Sequence, residues 1–300
     1  MKTLRILIKR NCKLFFKDKG MFFTALITPG ILLVLYATFL GNVYRDSFVM
    51  SLPPQFALSD SILNGLVGGQ LVSSILAVSC VTVAFCSNML MVQDRANGTV
   101  KDLRISPVRS SALALGYYVA TLISTLIICL IAAGACLAYL AVIGWYLSVW
   151  DVILLLVDVI LLSLFGTALS SVIGFFLSTQ GQISAVGSIV SAGYGFICGA
   201  YMPISQLSEG LQNAVAFLPG THGTSLLRNH ALRGVFSAME SDGIPAEAIR
   251  GMQDTVDCRV YVFDTPVEQP TMYLILGGSV VLLVAVYILL NAAKAKKHKI

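Results

Sequence analysis

The sequence predicts an all-α integral membrane protein: six transmembrane helices, an amphipathic helix in the membrane interface ahead of them, and both termini in the cytoplasm. Three observations predict it. Apolar residues fill 57% of the 300 positions and charged residues only 12%, against about 25% charged in an average soluble domain. The charges cluster and leave uncharged apolar runs of about 18 residues or more, long enough for a helix to cross a hydrocarbon core roughly 30 Å thick. These runs do not alternate, as the roughly ten-residue strands of a membrane β-barrel would.

Residues 1–20 form the first element. Leu4, Leu7, Ile8, Cys12, Phe15 and Phe16 recur at helical spacing, and Arg5, Lys9, Lys13 and Lys17 form a basic stripe. An apolar face opposite a lysine face describes a helix lying in the interface, drawn to the anionic lipids of the inner leaflet. The same charges serve as a topology signal.

Residues 21–291 carry the spans: Met21–Tyr44, Ile62–Val92, Ala112–Ile143, Val152–Leu177, Gln182–Pro203 and Thr271–Asn291. The first is of span length and reads as a span, not a cleavable signal. The second and third exceed what a bilayer requires, so they tilt or project beyond it. Orientation follows from the basic residues. The N-terminal segment, the 93–111 loop and the basic 292–300 tail together hold 15 of the 20 Lys and Arg residues. The positive-inside rule places all three in the cytoplasm. The 204–270 segment is then external and too long for a plain connection. Its first part, from Leu207 to Val235, has helical apolar spacing broken at Leu218-Pro219-Gly220, and could dip back toward the outer leaflet where protein shields it.

Reactive residues are sparse. Cys80, Cys86, Cys129, Cys136 and Cys198 lie in spans as small packing residues, Cys12 is cytoplasmic, and Cys258 is the single external cysteine, which leaves it no disulfide partner. His222, His230 and His298 lack companions at metal-ligand spacing. The chain has neither a Gly-x-x-x-x-Gly-Lys-Ser/Thr phosphate loop nor a Gly-x-Ser-x-Gly elbow. It is therefore read as a non-enzyme that binds no nucleic acid, with any energy supplied by a partner or an ion gradient.

The loop after the second span is heavily punctuated. Asn97-Gly98 is a turn signal, and Thr99 with Asp102 has the form of a capping box. A short helix is expected from Val100 to Ile105, broken before Ser106-Pro107, where the next helix can begin. A short rigid helix held at the cytoplasmic surface suits docking against another protein.

These residues carry a resemblance. The Asp94-Arg95 pair, Gly98-Thr99, Leu103, Ser106-Pro107-Val108 and Leu115-Gly116 resemble the permease subunit of type-2 ABC exporters. Further on, Gly199, Pro203, Leu207, Leu211, Leu218-Pro219 and Arg228 are similar to the family's pattern around its fifth span. The chain departs from that pattern at Ser208, where proline is usual, and at Leu218, where asparagine is usual. The fragment Leu66-Val67-Gly68-Gly69-Gln70 looks like the nucleotide-binding signature of ABC ATPases without its serine; with no phosphate loop upstream it reads as helix-end glycines.

The resemblance implies that Val100–Ile105 is a coupling helix received by a separate ABC ATPase subunit. Leu103 and Ile105 would fill its pocket, Thr99 and Asp102 would cap the helix, and Arg95 and Arg104 would lie at the rim. It implies ATP and Mg in that partner and none on this chain, and a second permease subunit forming a homodimer or heterodimer. It also implies location in a bacterial plasma membrane and export of drugs, antibiotics, peptides or lipids. A polysaccharide or teichoic-polymer exporter is the alternative within the fold. A gradient-driven secondary transporter and a non-transporting scaffold are alternatives outside it.

Two small-residue stripes remain. Gly166, Ser170, Gly174 and Ser178 share a face of the fourth span and are read as helix packing. Gly187, Ser191, Gly195 and Gly199 share a face of the fifth, which reads either as packing or, by the resemblance, as substrate path or dimer interface. Asp158 lies roughly 10 Å deeper than Asp151 along its helix. It is read as an acid near the outer interface, bonded to a hydroxyl or reached by water, with a functional acid as the alternative.

Overall fold

The computed structural model describes every residue except 1, 36, 37, 40, 52–57, 106, 107, 264 and 298–300. In chain order the helices are α1 (Lys2–Lys17), α2 (Lys19–Leu35), α3 (Gly41–Ser51), α4 (Asp60–Ala96), α5 (Thr99–Ile105), α6 (Ser110–Ile143) and α7 (Val149–Phe176). There follow α8 (Gln180–Ile197), a 3-10 turn (Ile204–Gln206), α9 (Glu209–Ala216), α10 (Pro219–Ser241), α11 (Ala246–Thr255) and α12 (Gln269–Lys297). Between α11 and α12 a small antiparallel hairpin pairs β1 (Tyr261–Val262) with β2 (Thr265–Pro266). Among the described residues the protein is all-α apart from this hairpin.

The bundle is organised around α4. In its most apolar stretch 89% of residues are buried, against 11% for α12. Helices α2, α6, α7, α8 and α10 all pack on it. Close approach depends on glycine. A Cβ at Gly166 of α7 would come within 2.8 Å of the Cys80 carbonyl and 2.9 Å of the Val81 Cα, and one at Gly69 within 2.9 Å of the Ala231 carbonyl on α10. These neighbours are backbone and cannot rotate away, so the fourth-span stripe packs closely at Gly166, whereas Ser178 lies exposed beyond the end of α7. Gly166→Val should therefore lower the melting temperature of the detergent-solubilised protein, at a cost of about 1–3 kcal/mol or more for forced overpacking. Gly134→Val, at a site with nothing within 4 Å of the added carbon, should leave the melt in place. Equal melting curves would overturn the close-approach reading.

Side-chain caps set several helix starts. Ser59 accepts from the Ile62 amide ahead of α4, and reciprocal capping boxes open α7 (Ser148 with Asp151) and α8 (Thr179 with Gln182). Asp151 is used twice. One oxygen accepts from the Ser148 amide at 2.9 Å and hydroxyl at 2.7 Å, and the other is 2.5 Å from Arg233 of α10.

One expected span comes out shorter than the sequence suggests, and another runs through residues that are not described. Four helices, α4, α6, α7 and α12, are long and apolar enough to cross a membrane among the described residues. Of the first expected span, α2 (17 residues) and α3 are described, and residues 36, 37 and 40 between them lie outside the described residues. Among the described residues α1 meets α2 at a 75° bend, and the two together are long and apolar enough for one broken span. The fifth stops at Ile197 instead of Pro203, because Gly199 takes a left-handed φ of +75° and the Tyr201 amide turns back to the Gly195 carbonyl at 2.9 Å. With 18 residues and a polar Gln-Gly-Gln start, α8 is not among the helices long and apolar enough to cross alone.

The expected break at Leu218-Pro219 is present, with Pro219 as the first residue of α10. This helix packs against α4, α7 and α12 with most of its residues buried.

Candidate functional site

The punctuated loop folds as a separate short helix at one end of the bundle. Gly98 takes φ +81° to turn the chain out of α4. Its carbonyl receives the amides of Lys101 at 2.8 Å and Asp102 at 3.4 Å, so Gly98 is the cap and Thr99 the first helical residue. The expected capping role of Thr99 moves back by one position. Val100 and Leu103 pack, half-buried, on the cluster built from Leu7, Met91, Leu113 and Tyr117, while Ile105 is 85% exposed. Leu103 holds α5 to its own bundle, which leaves Ile105 as the apolar side chain on offer. Lys101 and Asp102 are exposed beside it. Ser106 and Pro107 lie outside the described residues, as does the side chain of Arg104.

Neither member of the Asp94-Arg95 pair lies at a rim. The Asp94 carboxylate accepts from Arg10 of α1 at 2.7 Å and from the Tyr117 hydroxyl of α6 at 2.6 Å, stapling three helices. Beside this acid the Arg10 guanidinium is held above its ordinary pKa, chiefly by the hydrogen bond to Asp94. Arg95 donates to the carbonyls of Gly174, Phe175 and Leu177 at 2.9, 2.8 and 2.5 Å, closing the C-terminus of α7. Together they fix the platform from which α5 projects.

On the same half of the bundle a cavity of about 280 Å³ opens between α2, α4, α7 and α8. Its walls are Thr24, Phe85, Cys86, Asn88, Met89, Val92, Ser170 and Gly174, with Ser184, Gly187, Ser188 and Ser191 from α8, and no charged side chain lines it. Asn88 is 3% exposed. Its amide nitrogen donates to the Ser170 carbonyl at 2.6 Å, and its Oδ1 has no protein partner. The fifth-span stripe thus divides. Gly187 and Ser191 line the cavity, Gly195 lies beneath the Tyr201 ring, and Gly199 is buried in the turn that ends α8.

The far end of the bundle holds two ionic clusters that depend on α10. Asp158 is 1% exposed and accepts from the Tyr273 hydroxyl of α12 at 2.6 Å, with His230 Nδ1 at 2.5 Å on its other oxygen. The expected hydroxyl partner is there; the imidazole was not foreseen. Arg228 is 1% exposed and lies 2.9 Å from Asp257, and its other nitrogen donates to the Gly199 carbonyl. Asp257, at φ +52°, also accepts from the Ile204 amide at 2.8 Å. Burial pushes the Asp257 carboxyl above the usual carboxylate range, and Arg228 opposes that rise. Cys258 is 3% exposed, and burial pushes its thiol up to about 12. No group of three His, Cys, Asp or Glu at metal-binding distance occurs among the described residues.

Comparison with protein families matches residues 2–231 to the model of the ABC-2 type transporter. The matched region runs from α1 through most of α10 and includes α5 and every cavity-lining residue. Comparison with curated proteins gave no match.

Proposed function

The chain belongs to the ABC-2 type transporter family, and from that premise we propose that this multi-pass ABC transporter permease is the membrane subunit of an ATP-driven exporter. In this reading α2, α4, α6, α7, α8 and α12 are the six spans, the end bearing α1 and α5 faces the cytoplasm, and the membrane is a bacterial plasma membrane. The observation that carries the reading is α5, a short helix braced on its own bundle by Leu103 with Ile105 left bare. That is the form of a part that receives force from another protein.

A separate ABC ATPase subunit supplies that force, binding ATP and Mg. Its closure pushes α5, and because Asp94 and Arg95 tie the adjoining end of α4 to α1, α6 and α7, the push reaches the helices around the cavity. A second permease subunit, identical or homologous, completes the assembly. The cavity supports a small substrate over a polymer: its wall is mostly apolar and hydroxylic, without charge, and the free Asn88 oxygen seeks a hydrogen-bond donor. An uncharged amphipathic solute, such as a drug, antibiotic, peptide or lipid fragment, fits that lining.

Purified alone, the chain should hydrolyse no ATP above background. Reconstituted in lipid with its ATPase subunit, the complex should hydrolyse it, and an uncharged amphipathic solute should alter the rate. Steady hydrolysis by the isolated chain, with contaminating ATPase removed, would overturn the assignment.

A further inference from the structure

Two cavities lie toward opposite ends of α8, and one side chain stands between them. The inner one is the 280 Å³ cavity, with Ser191 the wall residue furthest along α8. The outer one, about 160 Å³, lies among α3, the segment after α8 and the end of α11, lined by Tyr44, Phe48, Tyr201, Met202 and Gln206. Tyr201 belongs to the outer pocket yet folds back along α8. Its ring lies over Gly195, where an added methyl would overlap it, and packs edge-on against Phe196 at 5.2 Å. Its hydroxyl donates to the Ser191 carbonyl at 3.4 Å. The side chain therefore reaches from the outer pocket to the rim of the inner cavity.

We propose that Tyr201 is the closed gate between the two cavities, and that its ring leaves the Gly195 seat when an uncharged amphipathic solute passes outward. The proposal rests on the permease reading above. Three features of the segment suit a gate. The hydroxyl bond is long and so holds the ring weakly. The seat exists only because residue 195 has no side chain. The backbone is clamped at Gly199 by Arg228, at Ile204 by Asp257 and at Tyr201 by its own amide bond to the Gly195 carbonyl, which confines the motion to rotation of the Tyr201 side chain. A ring that turns about its own side-chain bonds on a fixed backbone can leave its seat without unravelling α8.

The chain contains its own reporter. Cys86 lines the inner cavity, and Gln206 is exposed at the outer pocket. The experiment uses the complete complex in right-side-out, nucleotide-free vesicles treated with a membrane-impermeant methanethiosulfonate, with modification of each cysteine read by mass spectrometry. Gln206→Cys, made as a separate marker, should be labelled. Cys86 should be protected in the parent and in Tyr201→Phe, which keeps the ring. In Tyr201→Ala, and independently in Gly195→Ala, Cys86 should be labelled about tenfold faster or more, as expected for a shift in an open-closed equilibrium. If Tyr201→Ala does not reach the membrane, Gly195→Ala, which removes the seat and keeps the tyrosine, carries the test. Unchanged protection of Cys86 in the variants that assemble, with Gln206→Cys labelled, would overturn the gate alone. Protection of Gln206→Cys with labelling of Cys12 would overturn the orientation of the permease and the outward gate with it.

Discussion

Replacing Ile105 with aspartate should strip the ATPase subunit from the permease while leaving the permease folded in the membrane. Ile105 projects from α5 into solvent and touches little of its own chain, so the substitution costs the isolated fold almost nothing. At a docked interface the same change buries a carboxylate with no partner, a penalty of several kcal/mol. Interface energy concentrates in a few central anchors, and a loss of that size weakens association about a hundredfold or more. Co-purification of the ATPase subunit and coupled transport should both disappear, with the amount of permease in the membrane unchanged. Leu103→Ala should show the reverse pattern, because Leu103 braces α5 against the bundle: lower thermal stability, with any loss of association following from a loosened α5. Full association and full transport in Ile105→Asp would remove α5 from the interface.

The second large effect is expected at Arg228. Arg228→Met keeps most of the side chain's bulk but leaves the Asp257 carboxylate buried without its cation, and breaking a buried pair in this way costs about 3–5 kcal/mol. The Gly199 carbonyl also loses its donor, so the turn that ends α8 should loosen. The deficit should depend on pH with a defined sign. Burial already raises the Asp257 pKa, Arg228 opposes the rise, and its removal lets the pKa climb further. The folded variant then binds a proton that the unfolded chain does not hold above the ordinary carboxylate range. Stability therefore falls as pH rises through that window, and the gap to the parent should narrow at about pH 5 relative to about pH 8. Arg228→Met combined with Asp257→Asn should recover part of the loss, since the orphaned charge is gone. Melting curves of the purified protein at the two pH values check this. A deficit that ignores pH, or a double variant worse than the single, would show that the pair is not what holds the turn.

Local features were legible in the sequence. The turn at Asn97-Gly98, helix α5, the break at Leu218-Pro219 and the small-residue faces all rest on spacing within one or two helical turns. The misplaced cap shows the limit of such reading: Thr99 with Asp102 matches a capping box, yet Gly98 sits one residue earlier and needs no side chain to expose its carbonyl. Roles set by distant partners were not legible. Asp94 and Arg95 read as docking residues because they precede α5 in the chain, but Arg10 and the end of α7 claim them from about 80 positions away. Asp158 finds Tyr273 across 115 positions, and nothing near Asp257 in the chain announces that Arg228 will lie against it. The fifth-span stripe holds as a helix face for Gly187, Ser191 and Gly195, while Gly199 lies past the end of α8. Gly187 and Ser191 face open space, while Tyr201 returns to cover Gly195 after a reversal that only the left-handed glycine at 199 permits.

The double use of Asp151 ties two events together in time. Its carboxylate caps the first turn of α7 and also receives Arg233 from α10. Fraying that turn releases the arginine, and lifting α10 away strips the cap of its counter-charge. The start of α7 and the stretch of α10 around Arg233 are therefore expected to open together, and hydrogen exchange should show their amides losing protection on a common timescale.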